Sequence, residues 1–154
     1  VKAFRAVCET WFATIAVVAL SVTAPHEASA ALAGDVASVA ADEHALAATR
    51  TVHKLAATER HDLVLPSNTV VHEYLSNGVV FAITWQGPAI PDLRTLLGSY
   101  FSQLKPRASG GSHHSMHLVG NDFVVRAMGH GRSHTGQAWV PSLVPSGFNI
   151  DAVE

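Results

Sequence analysis

Apolar positions along this chain change their period from one stretch to the next, and each period implies an element. After Asp35, a residue able to cap a helix, Val36, Val39, Ala40, Leu46 and Ala47 recur at spacings of three and four. This predicts an N-terminal helix with a thin apolar face, running to about Thr49. From Thr51 the period falls to two. Val52 and Leu55 mark a poor strand, while His61, Leu63 and Leu65 alternate cleanly until Pro66-Ser67-Asn68 turns the chain. Asn77-Gly78 between the alternating runs 69–75 and 79–85 predicts a two-residue hairpin, because both residues accept positive φ. Counting outward from that turn pairs Tyr74 with Phe81, His72 with Ile83 and Val70 with Trp85 on one face. Leu75 with Val80, Glu73 with Ala82 and Val71 with Thr84 fall on the other. The aromatic face is expected to pack against a second layer.

Pro91-Asp92 then opens a helix, with Pro in the first turn and a carboxylate at the positive end of the dipole. Leu93, Leu96, Leu97, Tyr100, Phe101 and Leu104 fit a 3.6 period until Lys105-Pro106 ends it. Burying that face on the hairpin contributes about 1.5–3 kcal/mol per large side chain. Residues 107–115 read as a Ser/Gly/His loop, and 116–119 with 122–128 as a second hairpin around Gly120-Asn121, with Leu118, Phe123 and Val125 on one face. A loop from Gly129 to His134 leads to a last strand at 135–140, and a tail with Pro141, Pro145 and Gly147 follows. The expected class is α+β, a mainly antiparallel β-sheet of hairpins packed with an N-terminal helix and a central amphipathic helix.

Composition adds a compartment. At 48% apolar, 14% charged and a mean hydropathy of +0.22 over 154 residues, the chain is greasy for a soluble domain. The excess is local: residues 1–30 are about 63% apolar and the remainder about 44%. Lys2 and Arg5, an uncharged run from Phe12 to Val22, Pro25 and the small residues Ala28-Ser29-Ala30 follow the order of a secretory signal peptide, cleaved to leave Ala31 first. The expected organisation is a signal at 1–30 and a single exported domain at 31–154, periplasmic or secreted. An uncharged run of about eleven residues is short for a ~30 Å hydrocarbon core, so no transmembrane span is expected after cleavage. Leu32-Ala33-Gly34 precedes Asp35 where a lipidated cysteine would stand, which removes a lipid anchor. Cys8 leaves with the signal, and with it any disulfide, thiol nucleophile or thiolate ligand. The charges that remain are balanced and without a basic run, which gives no footprint for nucleic acid or an anionic membrane surface.

Leu65-Pro66-Ser67, Thr69-Val70-Val71, Glu73-Tyr74, Gly78-Val79-Val80-Phe81-Ala82 and Trp85-Gln86-Gly87-Pro88 precede Pro91-Asp92-Leu93, Leu96-Leu97-Gly98 and Tyr100-Phe101. With the closing Gly136-Gln137-Ala138-Trp139-Val140-Pro141, this order resembles an exported proteobacterial family catalogued only as a domain of unknown function. The resemblance implies export and one shared domain over nearly all of the chain beyond the signal. It implies no catalytic or binding residue.

Histidine is the remaining anomaly. Of ten, nine lie beyond residue 30, and His113, His114 and His117 cluster beside Met116, with His130 and His134 four apart in the next loop. Imidazoles suit Zn or Cu, so these five are the candidate metal ligands, although no His-Glu-x-x-His helix motif is present and the glycines around 130–134 argue against a helix there. His72 falls on the aromatic face, where an imidazole needs a hydrogen-bond partner, and Glu73 points the other way. There is no Gly-x-Ser-x-Gly elbow or phosphate loop, and Glu59, Asp62, Glu73 and Asp92 have no separation fixed by the sequence. The leading expectation is therefore an exported binding or accessory domain without catalysis. The alternatives are a histidine-based metal-binding protein and a small hydrolase with an unidentified base.

Overall fold

The computed structural model describes residues 32–104 and 115–153. Helix α1 spans Val36–Ala45, with the Asp35 carboxylate accepting from the Ser38 amide at 3.0 Å as its cap. Strands β1 (Thr49–Lys54), β2 (Glu59–Val64), β3 (Val70–Ser76) and β4 (Val79–Gly87) follow as hairpins. Helix α2 covers only Leu93–Leu97, capped by Asp92, whose Oδ1 accepts from the Arg94 amide at 2.9 Å. The helix expected up to Leu104 breaks at Gly98, where φ is +45°, and continues as a 3-10 turn over Gly98–Gln103. Its apolar face survives the break: Leu96 and Leu97 are fully buried, with Leu93, Tyr100, Phe101 and Leu104 packed around them. Strands β5 (Ser115–Val119), β6 (Val124–His130) and β7 (Ser133–Trp139) complete the fold, and short 3-10 turns at Pro141–Leu143 and Ile150–Ala152 shape the tail. Where the glycines suggested a loop at 129–134, the chain turns tightly at Gly131-Arg132, with Gly131 at φ +59°.

All seven strands form one antiparallel sheet in the order β1-β2-β3-β4-β7-β6-β5. The architecture is α+β, as the periodicity implies. Strand β7 inserts between β4 and β6, so the sheet's two halves meet along β4 and β7. No described helix is long and apolar enough to cross a membrane.

The hairpin register differs from the count outward from Asn77-Gly78. Ser76 faces Val79 and Leu75 faces Val80, but β4 then carries an extra residue, and Tyr74 faces Ala82, Glu73 faces Ile83, His72 faces Thr84 and Val71 faces Trp85. This is a β-bulge at Phe81-Ala82. One added residue reverses the facing of everything beyond it. Ile83 and Trp85 therefore leave the expected aromatic face and join Val71, Leu75 and Val80 on the side covered by Val39, Leu96 and Leu97. Tyr74, Phe81, Ala82, Val124 and Trp139 form a second apolar cluster on the opposite side, covered by Val144, Phe148, Ile150 and Val153 of the tail. The sheet is thus sandwiched, with helices on one face and the tail over part of the other. A methyl group on Gly136 would enter the Trp85 ring, which is why β7 has no side chain there.

The described chain enters this core at once. Leu32 is 3% exposed, its amide bonds the Leu96 carbonyl at 3.2 Å, and Ala33 and Gly34 exchange bonds with Val80 at 2.9 Å each.

Candidate functional site

Cross-strand partners in an antiparallel sheet share a face, so the registers trace which side chains stand in line. On the tail-covered face one line crosses every strand: Thr51, Asp62, His72, Thr84, Gln137, Arg126 and His117. Each member is polar. The line two residues to one side, with Tyr74, Ala82, Trp139 and Val124, is the one the tail covers, while the line to the other side, with Gln86, Thr135, Met128 and Ser115, is not.

Above β4, β7, β6 and β5 the polar line floors a groove of about 490 Å³. Thr84, Gln137, Arg126 and His117 lie along it, Gln86, Thr135, Met128 and Ser115 flank them, and Asp151 and Val153 of the tail form a wall. Arg126 Nη1 donates to Asp151 Oδ1 at 2.8 Å, and its guanidinium stands 5.0 Å from the Trp139 ring. The wall is therefore pinned to the floor by an ion pair. Thr84 is 2% exposed, and its hydroxyl is shut off from the groove, where it interacts with the Tyr74 phenol.

Beyond Thr84 the same line becomes a charged network centred on Asp62. His72 Nδ1 lies 2.6 Å from Asp62 Oδ1, His53 Nε2 lies 3.1 Å from Oδ2, Arg60 Nη2 donates to Oδ2 at 3.0 Å, and Arg60 Nε sits 2.8 Å from Oδ1. Burial alone pushes the Asp62 carboxyl up, but the bonds from His72 and Arg60 outweigh it and hold the group below its ordinary value. With Nδ1 engaged by Asp62, the imidazole of His72 has a fixed orientation between β2 and β4.

The opposite face holds a second polar group inside the core. His61 and Glu73 are cross-strand partners, 2% and 0% exposed, beneath the buried Ser38 and Asp42 of α1. Neither Glu73 oxygen has a hydrogen-bond partner. Burial, reinforced by the Asp42 charge and only partly offset by Arg50, drives the Glu73 carboxyl well above its usual value. Burial likewise lowers His61, against the raising effect of Glu59.

A family model described as a protein of unknown function, DUF2844, matches residues 28–153. The chain belongs to this family. No curated protein and no solved structure matches it. The DUF2844 assignment agrees with the resemblance noted in the sequence to a domain of unknown function, and it names no activity.

Of the five histidines considered as metal ligands, His113 and His114 lie outside the described residues. The other three are not gathered. His117 faces the groove opposite Arg126, and His130 is four residues further along β6, about 13 Å at the usual strand rise. His134 is on the other side of the sheet, over Gly129, with Nε2 3.1 Å from the Gly131 carbonyl. Among the described residues no group of three His, Cys, Asp or Glu side chains is arranged to hold a metal.

The residues that do converge were invisible as a set. Asp62 and His72 stand out singly in the sequence, but His53, Arg60, Thr84, Arg126 and Gln137 carry no motif. The available signal was alternation: Arg60 and Asp62 lie on the face of β2 opposite to His61 and Leu63, which places them against His72 once the β2–β3 turn is read. The other half of the line depends on β7 pairing with β4, and no local pattern encodes that.

Proposed function

We propose that this DUF2844 chain is an exported, non-catalytic binding domain whose ligand lies in the groove over β4, β7, β6 and β5. The observation that carries the reading is the group of Gln86, Thr135 and Gln137 side chains on the groove floor, beside Met128 and Val153, where they are open to a ligand. The groove also has the usual mix of a binding site, a partly apolar lining with a few placed polar groups. Export is supported by the order of the first thirty residues.

Two measurements test this. N-terminal sequencing of the protein recovered from a periplasmic extract should begin at Ala31, and an uncleaved cytoplasmic product would overturn export. Amide NMR shifts on titration with a mixed fragment set of sugars, amino-acid amides, phosphates and short acyl chains should cluster at Thr84, Gln86, Thr135 and Gln137. Fragments that shift only other surfaces, or none, would overturn binding in the groove.

The short His72–Asp62 contact favours a second reading, hydrolysis with His72 as base, since a carboxylate on Nδ1 orients an imidazole for proton transfer. Against it, Asp62 is also held by Arg60 and His53, which is how an ion-pair network in a sheet is built. Turnover of an ester, amide or glycoside panel that disappears in His72→Ala would establish the second reading.

A further inference from the structure

We infer that the groove takes a neutral oligosaccharide, an inference that rests on the groove being the binding site. The first argument is charge. Arg126 and Asp151 are the groove's fixed charges and they satisfy each other at 2.8 Å, with Arg126 held further by the Trp139 ring. A phosphate or carboxylate ligand would have to compete with Asp151 for the guanidinium, whereas a neutral ligand leaves the pair intact.

The second argument is hydrogen-bonding type. Gln86, Thr135 and Gln137 all both donate and accept, and they stand in two adjacent rows across the floor. Sugar hydroxyls have the same dual capacity. One of them can bond Gln137 or Thr135 whichever role the protein group takes. Met128, 67% exposed, and Val153 supply apolar surface for the C–H faces of a ring.

The third argument is shape and backbone. The floor spans from Thr84 on β4 to His117 on β5, three interstrand steps, or about 14 Å, the length of a short oligosaccharide. An extended peptide gains its affinity from main-chain pairing with a sheet edge. The backbone across the floor is paired strand to strand, and the open edge, the outer side of β5, lies at the floor's end, so a peptide lying across the floor finds side chains only.

The test is titration of the folded chain with neutral trisaccharides built on glucose, N-acetylglucosamine and xylose, read by calorimetry and amide NMR. An anionic uronic-acid trisaccharide and a neutral alanine tetrapeptide serve as comparison probes. At least one neutral trisaccharide should bind with shifts at Thr84, Gln86 and Gln137. Affinity should fall about tenfold in Gln137→Ala, the loss of roughly one good hydrogen bond. Thr135→Val, which keeps shape and removes a hydroxyl on the open floor, should lose a similar factor while its circular dichroism stays that of the parent. Groove shifts produced by the peptide or the anionic sugar and by none of the neutral sugars would overturn the glycan assignment and leave groove binding standing. No groove shift with any probe, fragments included, would overturn both.

Discussion

Asp62 and Glu73 show how far one face of a strand differs from the other. Asp62 accepts from His72 and Arg60 and has His53 Nε2 at 3.1 Å, so its negative form is stabilised in the fold. Because its folded value is depressed, its contribution is present above the unfolded value near 3.8 and is lost as pH falls through the folded value. Asp62→Asn should therefore cost about 1.5–3 kcal/mol near neutrality, the range for hydrogen bonds to charged groups, and should flatten the acid limb below pH 4. Urea unfolding at pH 3 and pH 7 checks both. Glu73 has the opposite sign. A carboxyl raised in the fold favours the folded state at low pH, and that stability is lost as pH rises from 4.5 through the folded value. Glu73→Gln keeps the shape and removes the charge, so it should be more stable than the parent at pH 8 and closer to it at pH 5. His61 counters this slope, since its depressed value costs stability as pH falls below 6.5. Comparing Glu73→Gln with the parent at each pH cancels that effect and isolates the carboxyl.

At the scale of elements, the bulge on β4 decides which side chains meet the helices. Phe81 and Ala82 both belong to the tail-side cluster, so β4 carries one residue more than its facing pattern requires. Deleting Ala82 should leave Val80, Ile83 and Trp85 on the helix side and Phe81 and Thr84 on the other, and give a folded protein. The expected cost is about 1–3 kcal/mol from the lost local twist and repacking, read by urea unfolding alongside an NMR spectrum in which Trp85 and Ile83 keep their environment. A disordered spectrum would show that the bend itself is needed to close the sandwich. The same element explains what could be read from the residues and what could not. Asn77-Gly78, the Asp35 cap and the apolar face from Leu93 to Leu104 are local signals, and each marks a real feature, while Pro91-Asp92 marks the helix start with Pro91 before it and Asp92 as its cap rather than inside the first turn. A bulge has no local signature in Phe81-Ala82, yet it exchanges the facing of Ile83 and Trp85. The helix after Pro91 keeps its buried face but not its geometry, because apolar spacing reports which side chains turn inward and Gly98 alone changes how the backbone delivers them. The functional line was legible only in part for a related reason: Asp62 and His72 come from neighbouring strands, whereas Thr84 and Gln137 meet through a pairing some fifty residues apart in sequence.

For the whole molecule, the tail couples stability to the groove. Phe148 packs edge-on to Phe81 at 4.8 Å and to Tyr74 at 5.7 Å between ring centroids, so it is the side chain that fastens the tail to the sheet. Asp151 and Val153, three and five residues further on, reach the groove from that anchor, held as well by the packing of Ile150 and Val153 and by the Arg126 pair. Phe148→Ala removes two aromatic contacts of about 0.5–1.5 kcal/mol each together with the burial of a partly covered ring, for a total of about 2–3 kcal/mol. The helix side of the sheet, with its own buried cluster around Trp85, Leu96 and Leu97, does not touch Phe148 and should hold. Limited proteolysis of Phe148→Ala should therefore cut within 141–153 while the part before Pro141 persists, and the groove should lose its wall, with Arg126 released from Asp151. A variant that unfolds as a unit under protease, with no tail-only cleavage, would mean that the two faces of the sheet stabilise each other more strongly than their separate clusters imply. If the tail alone is released, the groove's shape depends on a segment that can leave without the domain unfolding. Ligand affinity should then fall in Phe148→Ala although none of the floor residues has changed.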